Sequence, residues 1–328
     1  MNDSPFITVI IKTLNEQDGI AKTITSIQES ISGFQHKIIV ADSLSTDDTQ
    51  SIALKMGVTV VSLVNPEDRC CGVGHQLGYL HSQGDYLLLL DGDMQLEEGF
   101  VDNAVHFLEQ NKDYAGVAGR VEMDEAKNYE FQSRKQRLHS IYPIGDVDHL
   151  AGGGMYRRSA INDIGYLTNR NLHANEEAEL GMRLTRKGYK LHRLDVPYFY
   201  HTSYDLSTFQ LLKHRWKSKY LWATGEILRG AIGTPYFFKS LNVVKNEVIF
   251  AGYLLALLLS LLSLNLTLIG IGVCPLIMFI SLKTWRNGSV KTALLSVFNL
   301  TLYSVGFLCG LMKSVKDPYQ PPEHNIIK

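Results

Sequence analysis

The sequence has no surplus of charge of either sign. Its 32 lysine and arginine residues are matched by 33 aspartate and glutamate residues, and the formal net charge is -1. A protein that binds nucleic acid usually carries a surplus of basic residues, because these neutralise the phosphates. We therefore expect no nucleic-acid partner.

Cysteine is scarce, with four residues in a chain of 328. Cys70 and Cys71 are adjacent, whereas Cys274 and Cys309 lie in apolar segments near the C-terminus. Neither arrangement has the spacing of a metal site or of a disulfide framework. The sequence gives no sign of a disulfide-stabilised fold or a cysteine-bound metal.

A secretory leader is missing from the first residues. The apolar run from Phe6 to Ile11 is too short for a signal peptide, and no basic segment precedes it. We therefore expect the first domain to stay on the cytosolic side of a membrane, where nucleotides are available to it.

Charged residues are absent from two long stretches near the C-terminus. None lies between Val248 and Leu282, and none lies between Thr292 and Met312. A helix that spans a bilayer needs about 20 mainly apolar residues, and a charge at its centre costs about 2.5 to 3.5 kcal/mol on insertion scales. We therefore predict two or three transmembrane helices within residues 248–312, with a candidate hairpin turn at residues 263–265.

The segments that flank these helices are basic. Residues 205–247 contain seven lysine or arginine residues against three acids, with Trp, Tyr and Phe interleaved. Such a segment suits amphipathic helices at an anionic cytoplasmic leaflet. The loop with Lys283, Arg286 and Lys291 should also stay cytoplasmic, which favours two crossings before a third segment. We predict a multi-pass protein whose first domain is cytoplasmic, in a bacterial inner membrane.

The first half of the sequence alternates apolar runs with helical patterns. Runs at residues 7–12, 36–41, 58–64 and 85–90 are typical of buried strands. Strands separated by helices imply right-handed parallel crossovers. We therefore predict an α/β fold with a doubly wound sheet, in which ligands bind beyond the carboxyl ends of the strands.

Polar side chains follow three of these predicted strands. In chain order they are Asn15 and Glu16, Asp42 and Ser43, and Asp91 and Asp93. Solubility alone could explain one cluster at a sheet edge. Three clusters at the same edge favour a binding site.

Asp91-Gly92-Asp93 is the clearest of these clusters. Residues i and i+2 at the end of a strand point the same way, so both carboxylates can face one space, and Gly92 lets a ligand approach closely. Mg²⁺ and Mn²⁺ prefer such oxygen ligands together with substrate phosphates. The alternative is an ordinary turn, in which Asp and Gly are common.

Two further clusters have both a structural and a functional interpretation. Asp42 precedes the helix-capping residues 45–47, so its carboxylate should be free to accept hydrogen bonds from a base or ribose. Acids at residues 176, 177 and 179 suit a helix N-terminus, and Glu179 is spaced to pair with Arg183. An acid close to the glycine-rich segment 151–156 could instead accept a hydroxyl proton.

Five motifs follow one another over residues 6–225: TLNEQDGI, VADSLSTDDT, GDYLLLLDGDMQL, AGGGMYRRSAI and NEEAELGMRLTRKGYKL. Together they resemble glycosyltransferase family 2, a group with the GT-A fold. The resemblance implies a GT-A type sheet, parallel or mixed, and the predicted transmembrane helices lie C-terminal to this sheet. On the donor side, Glu16 and Asp42 would contact the nucleoside and Asp91 the nucleotide. The neighbouring residues of the donor site would be Thr13, Asn15, Ser43 and Gly92.

The resemblance also implies a metal site and a general base. Asp93, with Asp91 as a second ligand, would hold Mg²⁺ or Mn²⁺ on the diphosphate, and His201 matches a histidine that often completes the site. Glu177 matches the second acid of the family's acidic pair and would be the general base. The family usually has aspartate there, so Glu176 remains the alternative.

The acceptor side is implied by two further segments. Gly152, Gly153 and Gly154 match the acceptor-side loop. Arg215 and Trp216 resemble the end of the Gln-x-x-Arg-Trp motif of processive synthases, although Leu212 stands in the glutamine position. No membrane segment precedes the catalytic domain, and we infer that one sugar is added, without polymerisation.

These inferences combine into one predicted enzyme. A catalytic domain at residues 1–204, interfacial helices at 205–247, membrane helices at 248–312 and a tail at 313–328 would transfer a sugar with inversion. The donor would be a nucleotide sugar, with UDP favoured and GDP allowed. The acceptor would be membrane-associated, such as a lipid-linked saccharide in cell-envelope synthesis. The alternative acceptor is a polyprenyl phosphate.

Overall fold

The computed structural model describes residues 4–123, 135, 137–201 and 207–327. The chain divides into two compact units, residues 1–214 with 315–328 and residues 215–314. The predicted boundary between residues 204 and 205 lies outside the described residues. The predicted segments 205–247 and 313–328 each divide between the two units.

The described residues of the first unit form one sheet of ten strands. In its first half the strand order is β3-β2-β1-β4, all neighbours are parallel, and helices connect consecutive strands. The elements of this half are β1 (Phe6–Thr13), α1 (Ile20–Ser30), β2 (Gln35–Asp42), α2 (Thr49–Lys55), β3 (Thr59–Leu63), α3 (Cys71–Leu80) and β4 (Tyr86–Asp91). Val9, Ile10 and Ile11 of β1 are fully buried, so both faces of this strand are covered, as the continuous apolar run predicts.

The second half of the sheet is mixed. Beyond β4 the order is β8-β6-β9-β5, where β8 is antiparallel to β4 and β6, and β6 is parallel to β9. Its elements are β5 (Met94–Leu96), α4 (Phe100–Gln110), β6 (Tyr114–Met123), α5 (Leu138–Ile141), β7 (Gly145–Asp146), β8 (Gly154–Arg157), α6 (Arg158–Ile164), α7 (Glu176–Arg186) and β9 (Lys190–His201). The predicted α/β fold with a mixed, doubly wound sheet is confirmed.

The tail after the apolar helices forms the last strand of this sheet. β10 (His324–Ile327) pairs antiparallel with β3, and Ile326 lies opposite Val61. Lys316 approaches buried Asp68, with 2.8 Å between Nζ and Oδ1. The edge of β3 is therefore covered by the chain's own C-terminal residues, a pairing that the sequence did not predict.

The second unit is helical among its described residues. Its helices follow α8 (Thr208–Lys217), whose last residues belong to this unit, and they are α9 (Ala223–Ala231), α10 (Phe237–Val243), α11 (Lys245–Leu262), α12 (Leu266–Asn287) and α13 (Val290–Met312). Three of them, α11, α12 and α13, are long and apolar enough to cross a membrane. The predicted turn at residues 263–265 is confirmed, because Asn265 Oδ1 accepts the amide of Thr267 at 3.0 Å and begins α12.

Candidate active site

Polar residues from three parallel strands meet at one edge of the sheet. Thr13 lies beside Asp42 across β1 and β2, and Lys12 lies beside Asp91 across β1 and β4. The carboxyl ends of parallel strands share an edge, and ligands of α/β proteins bind there. The sheet therefore gathers the predicted donor-side clusters, together with Lys12, which was not predicted as a site residue.

The Asp42 carboxylate is not free, and that expectation is wrong. Asp42 is fully buried and accepts hydrogen bonds from Thr13 Oγ1 at 3.1 Å, from the Ser45 amide at 2.9 Å and from Gln50 Nε2 at 2.5 Å. A buried carboxylate without partners would be costly, so these donors stabilise it. Asp42 fixes the turn between β2 and α2, and the sequence missed this because two of the donors, Thr13 and Gln50, are 29 and eight residues away.

The two loops at this edge are joined by side-chain and backbone hydrogen bonds. Asn15 has a positive φ of 58°, and its Oδ1 accepts the Thr46 amide at 2.8 Å. The amide of Glu16 donates to Thr49 Oγ1 at 2.8 Å, and the amide of Ser43 donates to the Thr13 carbonyl at 2.9 Å. These bonds hold the loop after β1 against the loop after β2.

Gly92 allows a close approach, but the partners are protein atoms. A Cβ on Gly92 would lie 2.9 Å from Glu16 Cγ and 2.9 Å from Thr13 Cγ2. Real Cβ atoms do not approach other atoms so closely. The glycine is therefore needed for packing between the turn after β4 and the loop after β1.

Lys12 connects two predicted site acids. Its Nζ lies 3.0 Å from Glu176 Oε1 and 3.3 Å from Asp91 Oδ1. Burial alone would lower the pKa of Lys12, but the carboxylates of Asp91 and Glu176 hold it well above its usual value. Lys12 is therefore a fixed cation at the centre of the acidic cluster. A lysine that ends an otherwise apolar strand was the available sequence signal.

His75 is a second residue that was not predicted to act in the site. It is almost fully buried, and its Nε2 lies 3.2 Å from the Leu90 carbonyl and 3.8 Å from Asp91 Oδ1. Burial, reinforced by the charge of Lys12, lowers the pKa of His75 to about 4. At neutral pH the imidazole is uncharged, so Lys12 carries the positive charge beside Asp91.

The predicted metal ligands do not assemble as one cluster. Asp93 Oδ2 lies 3.3 Å from His201 Nε2, whereas Asp91 is directed to Lys12. Across residues 4–123, 135, 137–201 and 207–327, no three His, Cys, Asp or Glu side chains gather so as to hold a metal. Residues i and i+2 point the same way only in a continuous strand, and Gly92 and Asp93 instead form a turn between β4 and β5.

Asp93 by itself fits a metal ligand. Its Oδ1 is buried and has no hydrogen-bond partner, which is unusual for a carboxylate oxygen. Mg²⁺ or Mn²⁺ is commonly held by one or two carboxylates plus phosphates of the substrate. The residues present therefore fit a metal that shares its coordination with a diphosphate.

Glu177 is the acid that contacts the glycine-rich loop. Its Oε1 accepts the Gly153 amide at 2.6 Å, and its Oε2 accepts the Gly152 amide at 3.2 Å. Burial, followed by the negative charge of Glu176, raises the pKa of Glu177 to about 7, although Lys12 and the Gly153 amide act in the opposite direction. A carboxyl group with this pKa can accept a proton near neutral pH.

Glu176 and Glu177 are adjacent in sequence but have different surroundings. Glu176 is buried and pairs with Lys12. The hydrogen bonds of Glu177 described above come from the backbone amides of the glycine-rich loop. Glu179 forms a buried ion pair with Arg183, at 2.9 Å between Oε2 and Nε, and Arg183 also donates to the Tyr166 carbonyl. The structural interpretation therefore applies to Glu179.

The glycine-rich loop is held in an unusual backbone conformation. Gly152, Gly153 and Gly154 have φ values of 81°, 83° and 143°. A Cβ on Gly153 would collide with the Leu89 carbonyl oxygen of β4. Arg193, which is buried, donates from Nη2 to the Ala151 carbonyl at 3.0 Å. The loop can therefore present two amides to Glu177.

Replacing Gly153 with alanine should destabilise the first unit by about 2 kcal/mol or more beyond a control, because of the collision with Leu89. The matched control is Gly188→Ala, just after α7. Gly188 has a similar φ of 92°, and no atom lies within 4 Å of its potential Cβ. Denaturant unfolding of the detergent-purified variants measures the difference. Equal losses would contradict the role assigned to the close approach.

Arg215 and Trp216, predicted on the acceptor side, belong to the second unit. Arg215 is buried, donates to the Tyr303 hydroxyl at 3.1 Å and lies over the Tyr220 ring. Trp216 is partly exposed. Their predicted role toward an acceptor remains a prediction.

Comparison with known proteins identifies the first unit. Residues 8–165 match the sequence model of Glycosyl transferase family 2. Succinoglycan biosynthesis protein ExoA from Rhizobium meliloti is 27% identical over 199 residues, which cover 57% of this chain and 60% of that protein. The match thus spans less than two thirds of this relative's length.

Solved structures support the fold over nearly the whole chain. The mannosyltransferase PcManGT from Pyrobaculum calidifontis, in complex with GDP-Man and Mn²⁺, has a TM-score of 0.60 at 17% identity and covers 94% of this chain and 88% of that one. S. aureus TarS 1-349, in complex with UDP-GlcNAc, has a TM-score of 0.54 at 16% identity, with coverages of 93% and 89%. At this identity the likeness concerns the fold alone. The chain is a glycosyltransferase with the GT-A fold whose residues 8–165 match family 2, and its three apolar C-terminal helices fit a membrane anchor.

Proposed function

We propose that the enzyme transfers a sugar from a nucleotide-sugar donor to a hydroxyl of a membrane-associated acceptor, with inversion at the anomeric carbon. The observation that carries this proposal is Glu177, a carboxyl group with a pKa of about 7, held by two amides of the glycine-rich loop. A hydroxyl acceptor needs a base at the moment of attack, and this pKa suits that task at neutral pH.

The reaction is a single displacement. Glu177 takes the proton of the acceptor hydroxyl while the hydroxyl oxygen forms a bond to the anomeric carbon. The bond from that carbon to the nucleoside diphosphate breaks, and the diphosphate leaves with the electron pair. Because one displacement inverts the carbon, no covalent sugar intermediate and no second nucleophile are required.

Asp91, at the end of β4, and Asp93, two residues further on, would act on the donor. Asp93, with His201 beside it, would hold Mg²⁺ or Mn²⁺, which when bound supplies positive charge to the departing diphosphate. Asp91, Glu16 and Asn15 lie in the loops at the same edge and would position the nucleotide. PcManGT and TarS bind GDP-Man and UDP-GlcNAc respectively, which supports a nucleotide-sugar donor and leaves the base open between GDP and UDP.

We assign Lys12 a positioning role in this reaction. Its ammonium binds Glu176 and Asp91, so Glu176 is held in an ion pair while Glu177 remains available to the acceptor. The same charge lowers the pKa of Glu177. The pair of acids at the start of α7 is therefore divided into one structural carboxylate and one proton acceptor.

Lys12→Met should move the acidic limb of the pH–rate profile to higher pH. Removing the ammonium leaves Glu177 beside uncompensated carboxylates, so its pKa rises and a higher pH is needed to ionise it. Loss of a buried ion-pair partner should also cost roughly 3–5 kcal/mol of stability. The profile of kcat/KM against pH is the measurement. Lys12→Arg keeps the charge and should leave the limb in place, and an identical profile in both variants would contradict the assignment.

A donor screen tests the proposal directly. Purified protein is given UDP-Glc, UDP-GlcNAc, UDP-Gal or GDP-Man, with Mn²⁺ or with chelator, and release of the nucleoside diphosphate is measured. We expect metal-dependent release from one donor, stimulated by a membrane lipid extract from a bacterial host. Equal turnover in chelator would contradict the metal assignment, and no release from any donor would contradict the reaction.

A further inference from the structure

The two ends of the helical unit return to the same compact unit. The residues before Arg215 and those after Ser314 both belong to the first unit. A folded unit with a polar surface lies on one side of a bilayer, because lipid cannot satisfy its exposed backbone and charged groups. The chain must therefore leave this side and come back to it. An even number of crossings follows, although three helices are long enough to span.

The return of the tail is secured by many contacts within the first unit. β10 pairs with β3, and the amide of Val64 donates to the Glu323 carbonyl at 3.0 Å. Asn171 Nδ2 donates to the Lys316 carbonyl at 2.8 Å. The Tyr319 ring packs edge-on against Tyr166. These contacts make the tail part of the folded unit, so it cannot lie on the opposite side of the membrane.

The charges of the connections indicate which two helices cross. The turn between α11 and α12, residues 263–265, has no charge, whereas Lys283, Arg286 and Lys291 surround the connection between α12 and α13. Basic connections stay on the cytoplasmic side. The pattern therefore indicates that α11 and α12 cross as a hairpin, and that α13 begins on the side from which α11 started.

α13 differs from α11 and α12 in the residues that pack against it. Arg215, a buried cation, donates to the hydroxyl of Tyr303, about 20 Å along the helix from Val290. A charged group at the middle of a span is strongly disfavoured. A Cβ on Gly306 would collide with the Leu221 carbonyl, and a Cβ on Gly310 would collide with the Trp222 carbonyl. The backbone of α13 therefore packs directly on the backbone of residues 221 and 222.

The part of α13 that precedes its packing on Arg215 and residues 221–226 is too short to span alone. Residues 290–302, before the segment that packs on Arg215 and residues 221–226, number about 13, which is typical of an interfacial or re-entrant segment. At its end, Lys313 Nζ lies 3.2 Å from buried Glu226 Oε1. α13 and the basic, aromatic segment 215–231 therefore form one layer, suited to a single leaflet with anionic lipid.

We propose that the chain crosses the bilayer twice, through α11 and α12, and that α13 lies in the interface on the side of the catalytic unit. The proposal concerns how the protein is inserted in lipid and does not depend on the reaction. It makes the helical unit a hairpin anchor with an in-plane helix instead of a three-helix span.

Single-cysteine labelling of the full chain in cells tests the proposal. The background replaces Cys70, Cys71, Cys274 and Cys309 with serine. Single cysteines then replace Ser32, an exposed residue of the first unit, Ser263 in the hairpin turn, Ser289 before α13, or Ser314 after it. A membrane-impermeant maleimide is applied to intact spheroplasts and to detergent-permeabilised ones. The fraction labelled without detergent reports the side of each residue.

We expect residues 289 and 314 to label on the same side as residue 32, and residue 263 to label on the opposite side. Residue 314 opposite residue 32 would show an odd number of crossings and overturn the proposal. Residue 289 opposite residue 32 would overturn the assignment of the crossing pair. All four residues on one side would show that the hairpin does not cross, and would also overturn it. Membrane fractionation confirms that each variant is inserted.

Discussion

Replacing Glu177 with glutamine is expected to lower kcat for transfer to a hydroxyl acceptor by about 10²–10⁴-fold, the usual contribution of a general base. Glutamine keeps the length of the side chain, and its amide oxygen can still accept an N–H from the loop at Gly152 or Gly153. It cannot accept a proton near neutral pH. Nucleoside diphosphate release with saturating donor and acceptor measures the loss.

The pH dependence gives this prediction a second readout. In the native enzyme kcat/KM should rise with pH until about 7 and then level off, because Glu177 acts only when ionised and its pKa is about 7. As the pH falls through this pKa, Glu177 becomes protonated and the activity is lost. The acidic limb should disappear in Glu177→Gln.

Glu98→Gln is the matched control, since Glu98 is an exposed glutamate of the same unit and should tolerate the change. Retention of kcat in Glu177→Gln would mean that the acceptor needs no base. That outcome would favour a polyprenyl phosphate acceptor, whose oxygen is already ionised. Thermal unfolding of both variants separates this result from a folding defect.

Replacing Asp93 with asparagine is expected to reduce kcat/KM in Mn²⁺ by at least about 10²-fold, comparable to the loss of one strong electrostatic contact in a transition state. One oxygen of this carboxylate is buried without a hydrogen-bond partner, and the other lies beside His201. Asparagine has a similar shape but lacks the charge that would bind the cation. Nucleotide affinity should also lose its dependence on Mn²⁺, which calorimetry of UDP and GDP binding measures without turnover.

Asp102→Asn provides the control for this variant, because Asp102 is an exposed acid of α4. It should retain the native response to Mn²⁺ and to chelator. If Asp93→Asn showed the same metal response as Asp102→Asn, the metal would not be held at Asp93. A search for ligands would then turn to Asp91.

Much of the architecture was predictable because it depends on local patterns. Continuous apolar runs indicated β1 to β4, and their parallel order followed from the helices between them. The hairpin turn at residues 263–265 and the apolar helices were predicted from uncharged length alone. By contrast, β10 is four residues long and pairs with a strand more than 250 residues away. No local pattern contains that information.

The site was predicted in part for the same reason. The acids at the ends of β1, β2 and β4 were identified, since strand ends can be located in a sequence. Asp42 was expected to have a free carboxylate, but it is surrounded by donors from β1 and from the turn and helix that follow β2. Asp91 and Asp93 were expected to share one space, but the turn at Gly92 separates their surroundings. Hydrogen-bond partners of this kind depend on side-chain placement after folding.

The amino-acid sequence by itself determined the fold class, the positions of the acids and the presence of apolar helices, because periodicity, motif order and hydropathy are properties of short segments. Only the tertiary structure decided which acid pairs with Lys12, which one contacts the glycine-rich loop, and that the tail returns to the sheet. These outcomes depend on distances between residues far apart in the chain. The free energies of burial and charge that govern them exist only once those residues are brought together.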